Sequence, residues 1–414
     1  MTAQNQSPTR GCPLMGDPRD EAMAYPFPGV HTLELEPEYG PLLQGDRLYP
    51  VTMPHGGRAW LATRYVHVRQ VLADPRFSRA LANHVEAPRL SSEVLPQTSM
   101  MAMDPPEHTR VRRALAQEFT SDRVELLRDR AERLVDRLLD TMTEAGRPAD
   151  LLAHLAIPFP LLMVCELLGV PETDRDTFTE LSAFLRSRGM PVERRESARR
   201  EFETYVEGLL AGTRIDPAGL LARLKTAHEH VDEGLSVQEI IDVAIALLVG
   251  GVGSPSTLLA SGVCMLLRRP DLVEALRTDP RLVEATVEEL LRLVPVGVGG
   301  GFMRVAREDV RVGATLVRRG EAVLPAMTAA NRDPEIFPDA HRLRPERKSS
   351  HRHLGLGHGA HHCIGAHLAR VELQTAIGRL FHRLPGLRLA VPEPELRWHD
   401  GLVVRELKEL PVTW

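Results

Sequence analysis

From Ser121 the chain reads SDRVELLRDRAERLVDRLLDTMTEAG, with Val124, Leu127, Leu134, Leu138 and Met142 spaced at helical intervals. That spacing lays one apolar stripe along an otherwise charged helix. A hydroxyl residue at the start and Gly146 at the end predict its limits. Leu272 to Leu276 and Pro280 to Leu293 carry the same period. Strand-like runs are short: Ala59 to Ala62, Val310 to Val317, Glu321 to Leu324 and Leu387 to Val391, with weaker alternation from Leu396 to Trp414. The pattern predicts a mainly α fold with small β-sheets. No internal repeat or low-complexity linker divides the chain, so residues 25–414 read as one domain behind a loose N-terminal arm, residues 1–24.

One stretch departs from amphipathic patterning. Val243 to Leu267, VAIALLVGGVGSPSTLLASGVCMLL, carries no charge. Its length would suffice to cross a bilayer. Its middle, GGVGSPS, is poor lipid-facing material, and a lone span would divide two large globular halves. A helix buried on all sides accounts for it better.

Composition changes this picture little. The 414 residues carry a formal net charge of -5, and 26% are charged. Nothing global points to nucleic acid. Cys12, Cys165, Cys264 and Cys363 form no CxxC pair, which fits a reducing cytoplasm. The first residues show no basic-then-apolar targeting pattern.

Chemistry concentrates in His353 to Glu372, HLGLGHGAHHCIGAHLARVE. Gly357, Gly359, His361, Cys363 and Gly365 alternate and then give way to a helical pattern. Glycines let a backbone approach a flat ligand closely. A cysteine ahead of a helix has its thiolate stabilised by the amides and dipole of the helix end. Such a thiolate can ligate haem iron. Two other readings stay open: an ordinary buried cysteine, or a zinc site drawn from His358, His361, His362, Cys363 and His367.

The segment resembles the haem-binding loop of bacterial cytochromes P450, FGxGxHxCxGxxLAR, at every position but the first, where Leu356 replaces Phe. The resemblance implies the P450 fold, a triangular helical domain around buried haem b, with Cys363 as the metal ligand and Gly357 and Gly365 against the cofactor. It extends to three further motifs in the family's order. DPPEHTRVRRAL places His108 and Arg112 four apart on one helix face; with Arg304 and His361 they match the family's propionate contacts. Glu289 and Arg292 in VEELLRL match a structural ion pair. NRDPEIFPDAHRLRPERK offers Arg342 as its third member, with Arg344 or Arg347 possible if the spacing slips.

The charge-free stretch matches the family's central helix above the haem, which usually reads A-G-x-(D/E)-T. Here the slots are Gly250, Gly251, Val252, Gly253 and Ser254, followed by Pro255. The acid is missing, and Ser254 replaces the threonine. Gly250, Gly253 and Ser254 are therefore the candidate catalytic positions. These slots resemble those of family members that couple aromatic rings of tyrosine- or tryptophan-containing cyclic dipeptides. That implies oxidative C–C or C–N coupling; hydroxylation of a polyketide or terpenoid is the alternative, and a haem sensor a remote one. Pocket walls are expected from 81–103, 178–190, 249–256, 296–302 and 402–404, including Val249, Val252, Val296, Phe302 and Val403. The chain carries no iron–sulfur cysteine cluster and no GxGxxG loop. Electrons are thus expected from a ferredoxin and its NAD(P)H-dependent reductase, docked on Arg110, Arg113, Arg344, Arg347, Lys348, Arg352 and Arg370.

Overall fold

The computed structural model describes residues 21–28, 33–92, 94–186, 192–230, 234–297, 301–399 and 404–414. Val403 lies outside them. The charge-free stretch folds into the central helix, Val237–Leu267. Its start is fixed by a capping box: the Glu239 amide donates to Ser236 Oγ at 3.2 Å, and the Ser236 amide donates to Glu239 Oε2 at 2.9 Å. At 31 residues it runs about 46 Å. It is long and apolar enough to cross a membrane. Here other helices pack against it, including Pro158–Leu168, Leu220–His230, Pro270–Thr278 and Ala366–Arg383, but not on all sides as expected: Val249, Gly250 and Ser254 stay exposed. The cluster they bury contains Val243, Leu248, Val252, Leu259 and Val263 of the central helix.

The amphipathic segment after Phe119 forms two helices, Ser121–Glu125 and Arg128–Ala145, instead of one. Thr120, not Ser121, caps the first through its Oγ1. The second buries Leu134, Val135, Leu139 and Met142, stops at Gly146 and packs on Ala366–Arg383.

Strands are short, as expected. A six-stranded sheet runs in the order Met23–Ala24, Tyr49–Thr52, Arg58–Ala62, Ala322–Pro325, Arg304–Ala306, Phe77–Ser78. Its register pairs Tyr49 with Leu61 and sets Val323 between Trp60 and Arg304. This sheet carries Arg304 toward the site. Val310 to Val317 is a hairpin of two three-residue strands turning at Gly313, not one strand. Arg388–Leu389, Pro411–Thr413 and Ala149–Asp150 form a third sheet. Of the expected loose arm, residues 1–20 lie outside the described residues. Met23 and Ala24 pair with Val51 and Thr52, because the sheet edge offers them backbone partners.

Candidate active site

The loop before Ala366–Arg383 is wound tightly enough to aim Cys363 at the helix end. The Cys363 amide donates to Leu356 O at 2.8 Å, closing the loop on itself. Gly357 and Gly359 have φ of +76° and +72°. At Gly359 a Cβ would also stand 2.5 Å from Leu72 O, so only glycine fits. Cys363 is part-buried and free. Burial pushes its thiol above the usual value, while the Gly365 amide and the guanidiniums of Arg112 and Arg370 pull it down. Gly365 is the N-cap residue of the helix. Burial wins, so the free thiol stays protonated more readily than usual; the Gly365 amide and the two guanidiniums would stabilise a thiolate once a metal took the proton's place.

The expected cationic residues converge beside it. The rings of His108 and His361 lie 4.1 Å apart. Arg304 acts electrostatically on both, and Arg112 on His108 and Cys363. Burial, Arg304, His108 and Arg79 together push His361 down to about 3. Burial lowers Arg304 to about 10. Arg79 was not among the sequence candidates. It is buried, and burial followed by the charge of Arg304 holds it well below the ordinary guanidinium value. It donates to Met101 O at 3.0 Å through Nε and to Met303 O at 3.3 Å, and lies 4.3 Å over the Phe302 ring. Its signal in the sequence is slight, a lone Arg after the two-residue strand Phe77–Ser78.

Three guanidiniums and two imidazoles thus share a region where Asp104 is the counter-charge acting on Arg79 and Arg304. Asp104 is already bound by Ser78 Oγ, the Arg79 amide and Arg307. Buried like charges of this kind call for an added anion. A ligand with two carboxylates and a metal for Cys363 fits them; haem has both. His108, Arg112, Arg304, His361 and Arg79 would hold the propionates, and Gly357 and Gly365 would let the ring approach. The zinc reading loses support: among the described residues no group of three His, Cys, Asp or Glu could hold a metal ion.

Glu289 and Arg292 are fully buried and joined at 2.7 and 2.8 Å. Their third member is Arg347, not Arg342. Arg347 Nε donates to Glu289 Oε1 at 3.1 Å and is nearly buried. The exposed Arg342 contributes its carbonyl, which accepts from Arg292 Nη2 at 3.1 Å. The turn Arg344–Arg347 brings the later arginine inward, whereas Arg342 points to solvent. A second network ties the cysteine loop down. His353 Nε2 pairs with Glu288 at 3.2 Å, its Nδ1 accepts the Gly355 amide at 3.0 Å, and Arg370 grips the same Glu288 at 2.6 Å.

Around its middle turns the central helix is open along one side. Val249, Gly250 and Ser254 are exposed and Gly253 is part-exposed, positions that share a helical face. Val252 does not join them. It is fully buried in the apolar core on another side of the helix, so it is no pocket residue. Pro255 lies within the helix and offers no N–H to the Gly251 carbonyl. Phe302 is 54% exposed, and Leu81, Val85 and Val94 also leave apolar surface uncovered. Val296 is part-buried. The expected docking face is weaker than its residue count suggests. Arg110 pairs with Glu239, Arg344 with Asp339 and Glu346, Arg347 with Glu289 and Arg370 with Glu288. Arg113, Lys348 and Arg352 remain exposed.

Residues 192–408, just over half the chain, match the family model Cytochrome P450. The chain is 45% identical over 396 residues to Mycinamicin IV hydroxylase/epoxidase of Micromonospora griseorubida, covering 95% of this chain and 99% of that one. This chain is a cytochrome P450. The P450 is also 44% identical over 399 residues to Nocardicin C N-oxygenase of Nocardia uniformis subsp. tsuyamanensis, covering 96% and 100%. The crystal structure of cytochrome P450mel 107F1 with biaryl coupling reactivity superposes with a TM-score of 0.86 at 37% identity, over 95% of this chain and 100% of that one. Membership makes the chain a haem b oxidoreductase with the mainly helical P450 fold. Bacterial P450s of this type in general receive electrons from a ferredoxin and its reductase.

Proposed function

We propose that this P450 is a monooxygenase of secondary metabolism that inserts one oxygen atom into a largely apolar substrate, polyketide-like or of comparable size. Cys363 is the iron ligand in this reading. Bound haem supplies the iron at which O2 is activated. The chain's own residues do the rest. His108, Arg112, Arg304 and His361 orient the cofactor through its propionates. Val249, Leu81 and Phe302 offer apolar surface to the substrate, and the Ser254 hydroxyl hands on protons. The observation that carries the reading is the near full-length likeness to two oxygenating relatives, at 45% and 44% identity, together with an exposed hydroxyl at Ser254. Electrons come from a ferredoxin and an NAD(P)H-dependent reductase. The free, unpaired cysteines among the described residues suit a reducing cytoplasm.

A second reading, coupling of the aromatic rings of a cyclic dipeptide, draws on the missing acid at Gly253 and on the likeness to a P450 with biaryl coupling reactivity. The two differ in product mass. Oxygenation adds one oxygen; coupling removes two hydrogens. Ser254→Ala separates them as well. A positioned proton donor contributes roughly 10²–10⁴-fold, so oxygenation is expected to collapse into peroxide release, whereas coupling, with protons supplied by the substrate, keeps most of its yield per NADPH. A product lighter by two hydrogens that survives Ser254→Ala would overturn the monooxygenase reading.

A further inference from the structure

We infer that Glu406, on the C-terminal segment, supplies in space the carboxylate that the central helix lacks at Gly253. A Cβ built on Gly253 would meet one heavy atom within 4 Å, Glu406 Oε1, at 4.0 Å. The carboxyl group therefore lies against the vacant acid slot, one residue from Ser254. Gly253 is otherwise unfavourable, since glycine inside a helix is less stable than alanine. Packing does not demand it, in contrast to Gly251, whose Cβ would stand 2.8 Å from Val164 Cγ2. What a bare position 253 leaves room for is a carboxylate brought from elsewhere.

The C-terminal segment is built to hold it there. Val404 bridges to Gly297 and Leu407 to Trp398, and the Glu406 carbonyl accepts the His399 amide at 2.9 Å. In extended chain, successive side chains point to opposite sides. Arg405 turns away to the buried Glu36, at 2.5 Å, and to the Glu34 carbonyl, at 3.0 Å. Its amide donates to Val296 O at 2.9 Å. Glu406 is left on the side of the helix. It is part-buried, so it can exchange protons with solvent on one side and serve the helix on the other.

Glu406 is thus a positioning residue for proton delivery through Ser254. Glu406 Oε1 gives a proton to the Ser254 hydroxyl as that hydroxyl releases its own toward the reacting oxygen, and the carboxylate then takes one from solvent. Each transfer breaks one O–H bond and makes another, with no change in oxidation state. This inference rests on the monooxygenase reading. The wild-type product mass tests that reading, and NADPH loss to peroxide tests this one.

The experiment compares wild type, Glu406→Gln, Glu406→Asp and Gly253→Asp/Glu406→Gln in the haem-loaded enzyme. Product per NADPH is expected to fall at least tenfold in Glu406→Gln, with peroxide rising to match and the haem spectrum unchanged. Glu406→Asp is expected to keep part of the yield. The double variant, with the acid returned to the helix, is expected to recover it. A readout independent of turnover is the pH-difference infrared spectrum, in which a carboxyl band is expected to vanish in Glu406→Gln and return, shifted, in the double variant. Unchanged product per NADPH in Glu406→Gln would overturn the inference, as would no recovery in the double variant. A raised KM with yield per NADPH intact would make Glu406 a substrate anchor instead, and would also overturn it.

Discussion

Burial and charge oppose each other most sharply in the cation cluster beside Cys363. Arg112 and His108 face the same region, and each charged hydrogen bond to a carboxylate contributes about 1.5–3 kcal/mol. Arg112→Ala and His108→Ala are expected to lower haem retention roughly tenfold or more while far-ultraviolet circular dichroism stays native; unchanged occupancy in both would remove them from the propionate contacts. His361 sets a pH dependence. Its folded value near 3 lies below the unfolded value of about 6.5. The unfolded chain therefore binds the proton first as pH falls. Stability present above about pH 6.5 is lost progressively toward pH 3. In the haem-free chain, denaturant unfolding is expected to show this acid limb, flattened in His361→Asn. At this scale residue type was informative about proximity: the structure brings Cys363, His108, Arg112, Arg304 and His361, all singled out by the sequence, into one region. Arg79 and Glu406 carried no such signal, because contacts far along the chain place them beside the other candidates. Of the three arginines the sequence offered, Arg342 first and then Arg344 or Arg347, turn geometry rather than spacing selects Arg347 to reach Glu289.

The elements show where periodicity suffices. The 3.6-residue pattern located the helices Arg128–Ala145, Pro270–Thr278 and Leu282–Leu293 closely, since each has one apolar face to bury. It missed the break at Leu126–Leu127, because a short interruption leaves the apolar stripe intact. Val252 was misplaced for the same kind of reason. In a helix apolar all round, the pattern cannot say which side faces a cavity. Pro255 brings its own test. Restoring a donor for the Gly251 carbonyl by Pro255→Ala is expected to stabilise the protein by up to about 3 kcal/mol. Chemical denaturation reads this directly. A loss of stability would mean that the proline's shape, not its missing N–H, is what the helix uses.

Across the whole molecule, charge is spread into local pairs. Behind the net charge of -5, four of the seven expected docking cations, Arg110, Arg344, Arg347 and Arg370, already have carboxylate partners. Arg113, Lys348 and Arg352 stay exposed, and the proposed docking of an acidic ferredoxin falls to them. Surface pairing is screened over about 10 Å at 0.1 M salt. Ferredoxin-supported turnover is expected to fall as salt rises, and the triple variant replacing these three cations by Ala is expected to lose most of that salt dependence. Full NADPH-driven turnover by the chain alone would contradict an external electron donor.

All of this hangs on Cys363 as a thiolate ligand to haem iron. The most direct measurement is the absorption spectrum of the purified protein, reduced and exposed to carbon monoxide. Wild type is expected to show the long-wavelength Soret band that a thiolate ligand gives, and Cys363→His is expected to bind haem without it. A wild-type protein that lacks the band, or a Cys363→His variant that keeps it, would contradict the assignment.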